Sequence, residues 1–506
     1  MKKLLKLLKW IDSRLLSFLI VGFIFLIPLY PKLPLKTINF TYVAIRLEDL
    51  YVALISILYG VQLLRKKITI NKQFFILALC FWGAVFLSFL WGTFIGKTLP
   101  YHELAFLHAS RRIQYMAIFF IALSTVRSEK QFSGFLSLIL LVMAVVSLYA
   151  IGQKFFGLPA VQTMNPEFSK GHILYLTPEA RVSSTFAGHY DLAAYLVFLL
   201  PIAYSFFFYQ SRFRYIVLYV ISLFILVLTA SRISFIAFIA VTPLFFLFIR
   251  KPKHLIFVIL TTALFMYLSN SMIARIAKTF QVKQLFVNEK TGQIVVPERI
   301  TTKELPAGTF YFQIQKEVSQ KNTDANAEIV QQKLIEEIRG DASKSGRFIS
   351  ASDAAILASS MSANLRPVNT VVSDISFATR LQIEWPRAIK AFLSNPVLGT
   401  GASSITEATD NDYLRMIGEF GLAGLITFGS IIGMILYTTW KKILITKSSQ
   451  RYVLCGFLFG TLGLLLNAAY IDVFEASKVA YTFWLIAGIF MGYIINNPKL
   501  KKNSIK

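Results

Sequence analysis

Asn411, Arg415 and Glu419 stand four residues apart in DNDYLRMIGEFGLAGL, so an amide, a guanidinium and a carboxylate share one helix face just before the chain turns apolar. Asp410 and Asp412 flank the first of them. A carboxylate placed there can take a proton from a hydroxyl, and a guanidinium can grip an oxyanion through parallel N–H donors. Simpler tasks suit the same residues: Arg415 can pair with Glu419 along the helix, and Asp410 can cap its first turn. More arginines recur beside apolar runs. Arg232 ends LTASR between two runs with almost no loop, and Arg181 precedes His189 in EARVSSTFAGHYDLAAYL. Arg380 and Arg387 lie in TRLQIEWPRAIKAFLSNPVLGTG. Ionisable groups at membrane depth are costly and usually functional, and several guanidinium forks at one interface suit a phosphate-bearing lipid. Each arginine taken singly also fits a solvated or snorkelling side chain, and His189 fits a hydrogen-bonded interfacial histidine. None of the five histidines pairs with Cys, Asp or Glu at a ligand spacing, so no metal site and no cofactor are expected. Cys80 and Cys455 sit in separate apolar runs and read as packing residues.

What must position these groups is a membrane bundle. Of 506 residues, 56% are hydrophobic and 15% charged, a composition that excludes an ordinary soluble enzyme. Apolar runs long enough to cross a bilayer fall at about 15–31, 50–64, 74–96, 112–126, 132–156, 188–209, 215–230, 233–249, 254–271, 420–440, 451–471 and 479–496. The first, after MKKLLKLLKW, lacks a small-residue cleavage site and reads as a retained span. With the N-terminus inside, the cytoplasmic segments hold 24 Lys and Arg against 2 acids, and the outer ones 28 against 24. The positive-inside rule therefore supports both termini in the cytoplasm of a cytoplasmic (inner) membrane protein. Scattered over short loops, the +26 charge is a signature of orientation, and no nucleic-acid partner is expected.

The fold expected is thus an all-α polytopic membrane protein of about twelve transmembrane helices with one large external α+β loop domain. Its parts are residues 1–271 (spans one to nine), 272–419 (the external domain carrying site residues) and 420–506 (the last three spans and a cytoplasmic tail). Alternating apolar residues around KTG near 290 predict a β-hairpin, and NAEIVQQKLIEEIRG predicts a helix. The Ser- and Ala-rich stretch from Asp341 to Ser373 is expected to be mobile.

LTASR at a span junction, RLQIEW followed by NPVLGTG, and DNDYLRMIGEFGLAGL together resemble the O-antigen ligase and O-antigen polymerase family of bacterial membrane glycosyltransferases. The resemblance runs from about 180 to 440 and implies a GT-C-like fold. It also implies transfer of a glycan from a polyprenyl-diphosphate-linked (undecaprenyl-type) oligosaccharide donor to a hydroxyl of a glycan or glycolipid acceptor, at the outer face of the bilayer, in cell-surface polysaccharide biosynthesis. By similarity Arg232 and Arg380 hold the diphosphate with Arg181 as a helper, and Asn411 and Arg415 belong to the substrate site. Ligases of the family carry a histidine directly before Asn-x-Tyr-Leu; this chain has Asp410 there, which is therefore the candidate general base. Asp412, His189, Glu419 and Arg387 are the accessory candidates. With arginines to stabilise the leaving diphosphate, the enzyme is expected to be metal-independent. A multi-span transporter of a small solute or lipid-linked sugar is the alternative reading. It calls for polar breaks at mid-membrane in repeated halves, whereas polar groups here gather at one face.

Overall fold

Each apolar run folds as a helix in the computed structural model, which describes residues 2–37, 44–161, 172–177, 180–269, 379–405 and 409–496. Between 270 and 378 it describes 272–273, 280–288, 294–295, 312–313, 350–362 and 365–373, with a few single helical residues of 332–339. In chain order the helices are α1 (Lys2–Leu29), α2 (Leu47–Leu64), α3 (Lys72–Leu90), α4 (His102–Thr125), α5 (Glu129–Phe155), α6 (His189–Gln210), α7 (Arg214–Leu228), α8 (Arg232–Phe248) and α9 (Pro252–Leu268). They continue as α10 (Ala351–Ser362), α11 (Trp385–Ser394), α12 (Asp412–Ile445), α13 (Gln450–Ala468) and α14 (Ser477–Asn496). Among the described residues, eight helices are long and apolar enough to cross a membrane: α1, α2, α3, α5, α6, α12, α13 and α14. Shorter apolar helices are α7, α8 and α9. The protein is a multi-pass membrane protein, mostly helical, with little sheet.

Local chemistry sets the helix starts. Asn71 and Ser128 cap α3 and α5 by accepting from Phe74 N–H and Gln131 N–H, and Asp49 reaches back to the Arg46 N–H at 2.9 Å to open α2. Close backbone approach packs the centre. A Cβ on Gly460 of α13 would stand 2.2 Å from the Phe198 carbonyl oxygen of α6, and one on Gly488 of α14 would stand 2.4 Å from that of Phe119 of α4. Small residues at these crossings give membrane helices van der Waals contact where no hydrophobic drive operates.

The chain forms two compact units, Met1–Ile273 with Arg387–Lys506, and Ala274–Pro386. Short ribbons β1 (Lys36–Thr37) with β2 (Ala44–Ile45), and β3 (Pro159–Val161) with β4 (Ile173–Tyr175), join helices of the first unit. The second unit holds an antiparallel sheet of β5 (Phe280–Asn288), β6 (Ile294–Val295), β7 (Phe312–Gln313) and β8 (Leu365–Ser373), ordered β6-β5-β8-β7. Phe286 pairs with Val295 and Val287 with Ile294, as the hairpin pattern predicts, although the KTG turn lies outside the described residues. Within the Ser- and Ala-rich stretch from Asp341 to Ser373 the described residues form helix α10 and strand β8, whose nine residues all pair with β5. The helix predicted over 326–340 lies mostly outside the described residues.

The second unit ends at Pro386 and not at 419. Residues beyond it pack with the helices, and the reason is α12. This helix is bent at Gly421 (φ 62°, ψ −162°), and the loop after α11 lies in the bend. Leu422 N–H and Ala423 N–H donate to the Pro396 and Val397 carbonyls, while Thr400 N–H and Gly401 N–H donate to those of Gly418 and Glu419. Contact is so close that a Cβ on Gly421 would lie 2.3 Å from the Val397 oxygen, and one on Gly399 (φ 69°) 2.5 Å from the Glu419 carbonyl carbon. Only glycine fits at either position.

Candidate active site

At one end of the helical unit the chain gathers buried charge. Asn411 has its side-chain oxygen on the Tyr413 and Leu414 N–H groups, at 3.0 and 3.1 Å, and so caps α12. The cap had been expected of Asp410, which precedes the capping residue and is partly exposed. Arg415 and Glu419 take partners from other elements. Arg415 pairs with Asp472 at 2.7 Å and donates to the Thr409 carbonyl. Glu419 accepts from Arg112 of α4 at 3.2 Å and from Ser403 N–H at 3.1 Å. Arg112 also donates to Glu475 at 2.6 Å and lies over the Phe420 ring. Arg112, Arg415, Glu419 and Asp412 are all buried.

Two carboxylates clasp the start of α12 to the α13–α14 loop in a reciprocal way. Asp412 accepts from Val473 N–H at 2.7 Å and Phe474 N–H at 3.1 Å, while Asp472 accepts from Asn411 N–H at 3.2 Å and holds Arg415. The Asn411 amide donates to the Ala469 carbonyl. Burial pushes the Asp472 carboxyl well above its usual range; Arg415 opposes this, and the nearby carboxylates of Asp412, Asp410 and Glu475 add to it.

Arg181 and His189 meet on the loop into α6. The Arg181 guanidinium meets the His189 ring at Nε2. Arg181 also lies over the Tyr190 ring, 5.9 Å from its centroid. This loop is pinned from two sides. Gln153 bonds the backbone of Ser184 in both directions, and Lys478 Nζ donates to Thr185, Tyr30 and Pro28 carbonyls at 2.6, 2.7 and 3.1 Å. Nearby, Ser477 donates to Glu48, and burial followed by Arg46 drives the Lys32 ammonium down from its usual range.

Arg232 opens α8 one residue after Ser231. Ser231 donates to Ser234, and Ser234 in turn to Asn467 of α13, which fixes the tight LTASR turn against that helix. No acid stands in the first turn of α8. A cation at the positive end of a helix is disfavoured by the macrodipole, and an anion resting there is favoured by both groups. Arg387 is exposed on α11. Arg380 is buried on the π-helical turn Arg380–Glu384 of the second unit.

The sequence singled out Asp410, Asn411, Asp412, Arg415, Glu419, Arg181 and His189, and all lie in loops or the first two turns of helices at the end of the helical unit where α6, α8 and α12 begin. It missed Arg112, Asp472, Glu475 and Lys478. Arg112 carried a signal, a charge inside an apolar run, but that run was read as starting at 112 and the helix starts at His102. Asp472 and Glu475 belong to no motif.

None of the curated proteins matches the chain. Residues 217–429, from α7 into α12 and so including Arg232, Arg380, Asp410, Arg415 and Glu419, match the family model described as O-antigen ligase, and the match bears out the sequence's resemblance to the O-antigen ligase and polymerase family.

Proposed function

We propose that the protein transfers or polymerises a glycan from a polyprenyl diphosphate carrier onto an acceptor hydroxyl at the outer face of the cytoplasmic membrane, with twelve spans and both termini inside. The observation that carries this reading is the family match over 217–429, which includes Arg232, Arg380, Asp410, Arg415 and Glu419. The acceptor oxygen bonds to the anomeric carbon, whose bond to the diphosphate oxygen breaks. Polyprenyl diphosphate leaves with the electron pair, and the hydroxyl proton passes to Asp410. What supports Asp410 as the base is its place directly before Asn411-x-Tyr-Leu, where ligases of the resembled family carry histidine, on a segment that Asn411 and Asp412 tie to the α13–α14 loop. Arg232, at the N-terminus of α8, takes the charge that grows on the diphosphate, with Arg181 as a helper and no metal needed. Arg380 keeps the role that the resemblance gives it. Asn411 and Arg415 act by holding the segment that carries Asp410.

Purified protein in lipid nanodiscs with a fluorescent polyprenyl-diphosphate glycan tests the reading. Arg232→Lys is expected to fail nearly as badly as Arg232→Ala, because a point charge does not reproduce a bidentate grip. Full transfer by a well-folded Arg232→Ala protein removes that arginine from the mechanism.

A further inference from the structure

The opposite end of the helical unit holds a groove of about 550 Å³ between α6, α7 and α9. Phe207, Ile216, Val220 and Phe257 form its walls, and Lys253 and His254 line it where α9 begins. From Phe213 to Ile221 it follows about 12 Å of helix, close to the ~15 Å of hydrocarbon in one leaflet. Its mouth is cationic. Arg212 adjoins the lining residue Phe213, and Arg250, Lys251 and Lys253 open α9, while no Asp or Glu occurs between Asp191 and Glu289. Two neighbouring cations are turned aside: Arg214 donates to Tyr215 OH, and Lys251 lies over the Phe208 ring. Glu129, an acid of this end, is held by Tyr209 and Gln450. Tyr204 OH fixes His254 through Nδ1, which leaves Nε2 as that ring's other polar atom.

We infer that this groove is a binding site for an anionic phospholipid, with an acyl chain along α7 and the phosphate on Lys253 and Arg212. An apolar trough that runs into uncompensated cations matches the two halves of such a lipid, and basic pockets between membrane helices recruit anionic head groups in this way. A zwitterionic lipid gains the trough and little from the cations. The site lies at the far end from Asp410 and Arg232, so it holds whether or not the transfer reaction is as proposed.

Native mass spectrometry of the detergent-purified protein, titrated with phosphatidylglycerol or phosphatidylcholine, tests it. One phosphatidylglycerol is expected to be retained in preference to phosphatidylcholine. Lys253→Gln with Arg212→Gln should weaken that retention about fivefold for each cation removed, and Val217→Trp should block it by filling the trough. All three side chains are exposed, so the fold should survive, and an unchanged melting temperature checks that it does. Equal retention of phosphatidylcholine, or retention indifferent to both variants, overturns the site. Displacement of phosphatidylglycerol by equimolar polyprenyl phosphate also overturns it, by assigning the groove to the carrier.

Discussion

Replacing Arg112 by Met tests whether the charged end is held together as the distances imply. Arg112 is 5% exposed and donates to Glu475 at 2.6 Å and to Glu419, itself 1% exposed, at 3.2 Å. Methionine fills most of the space but leaves the buried Glu419 and the partly buried Glu475 without the guanidinium that bonds both. Breaking a buried pair from one side costs about 3–5 kcal/mol, a large part of the ~5–15 kcal/mol that holds an ordinary protein folded. The cost comes mainly from the stranded charges, so removing them should restore most of it. Arg112→Met with Glu419→Gln and Glu475→Gln is therefore expected to lie within about 1–2 kcal/mol of the parent, since an uncharged replacement of a buried pair is often nearly neutral. The glutamine at 419 still offers an oxygen to Ser403 N–H. Unfolding by dodecyl sulfate in mixed micelles, followed by tryptophan fluorescence, measures both variants. A single variant within about 1 kcal/mol of the parent, or a triple variant no better than the single, would refute the reasoning.

Gly421→Ala should sharply lower folded yield, because its Cβ meets the Val397 oxygen at a positive φ, whereas Gly429→Ala, which meets nothing within 4 Å, should be neutral or gain up to about 1 kcal/mol; size-exclusion profiles separate the two. Asp410→Asn is expected to fold normally and lose about 10² to 10⁴ in transfer rate, while Asn411→Ala should cost about 0.5–2 kcal/mol of stability as the lost cap; an active Asp410→Asn sends the search for a base elsewhere. In a protein with Cys80 and Cys455 replaced by serine, single cysteines at the exposed Ile173 and Phe213 should react with an impermeant maleimide from opposite sides of the membrane, and labelling of both from one side would break the alternation of helices.

How much of this was legible depends on the range of the interaction. Helix positions follow from local hydrophobic runs, and each of the twelve runs coincides with a helix to within a few residues, except where polar side chains extend it. Thus α4 begins ten residues before the run at 112, because His102 to Arg111 is helical without being apolar, and α12 begins at Asp412 for the same reason. The site was legible as a set of residue types and illegible as a set of pairs. Spacing suggested an Arg415–Glu419 bond, the one partner visible to a rule that looks four residues ahead. The structure gives Arg415 to Asp472 and Glu419 to Arg112, partners 57 and 307 residues away. An exposed pair four residues apart gains a few tenths of a kcal/mol, but a buried charge without a partner costs several, so tertiary neutralisation decides the pairing.

The same cross-helix pairing bears on the aspartate that stands where ligases of the family carry histidine. An imidazole can serve as base with little help, since its ordinary pKa lies near neutrality, whereas a carboxylate needs surroundings that hold it in place and make it more basic. The holding is supplied one residue away from Asp410. Asn411 and Asp412 are bonded on both sides to the α13–α14 loop, and Asp472 of that loop also holds Arg415. Asp472 thereby helps to place the aspartate at position 410, through its bonds to Asn411 N–H and Arg415. A histidine there should weaken the dependence on placement: Asp410→His should tolerate Asp472→Asn in transfer assays, while the parent should lose rate with the same change. Equal rate losses in both backgrounds would leave Asp472 with the clasp alone.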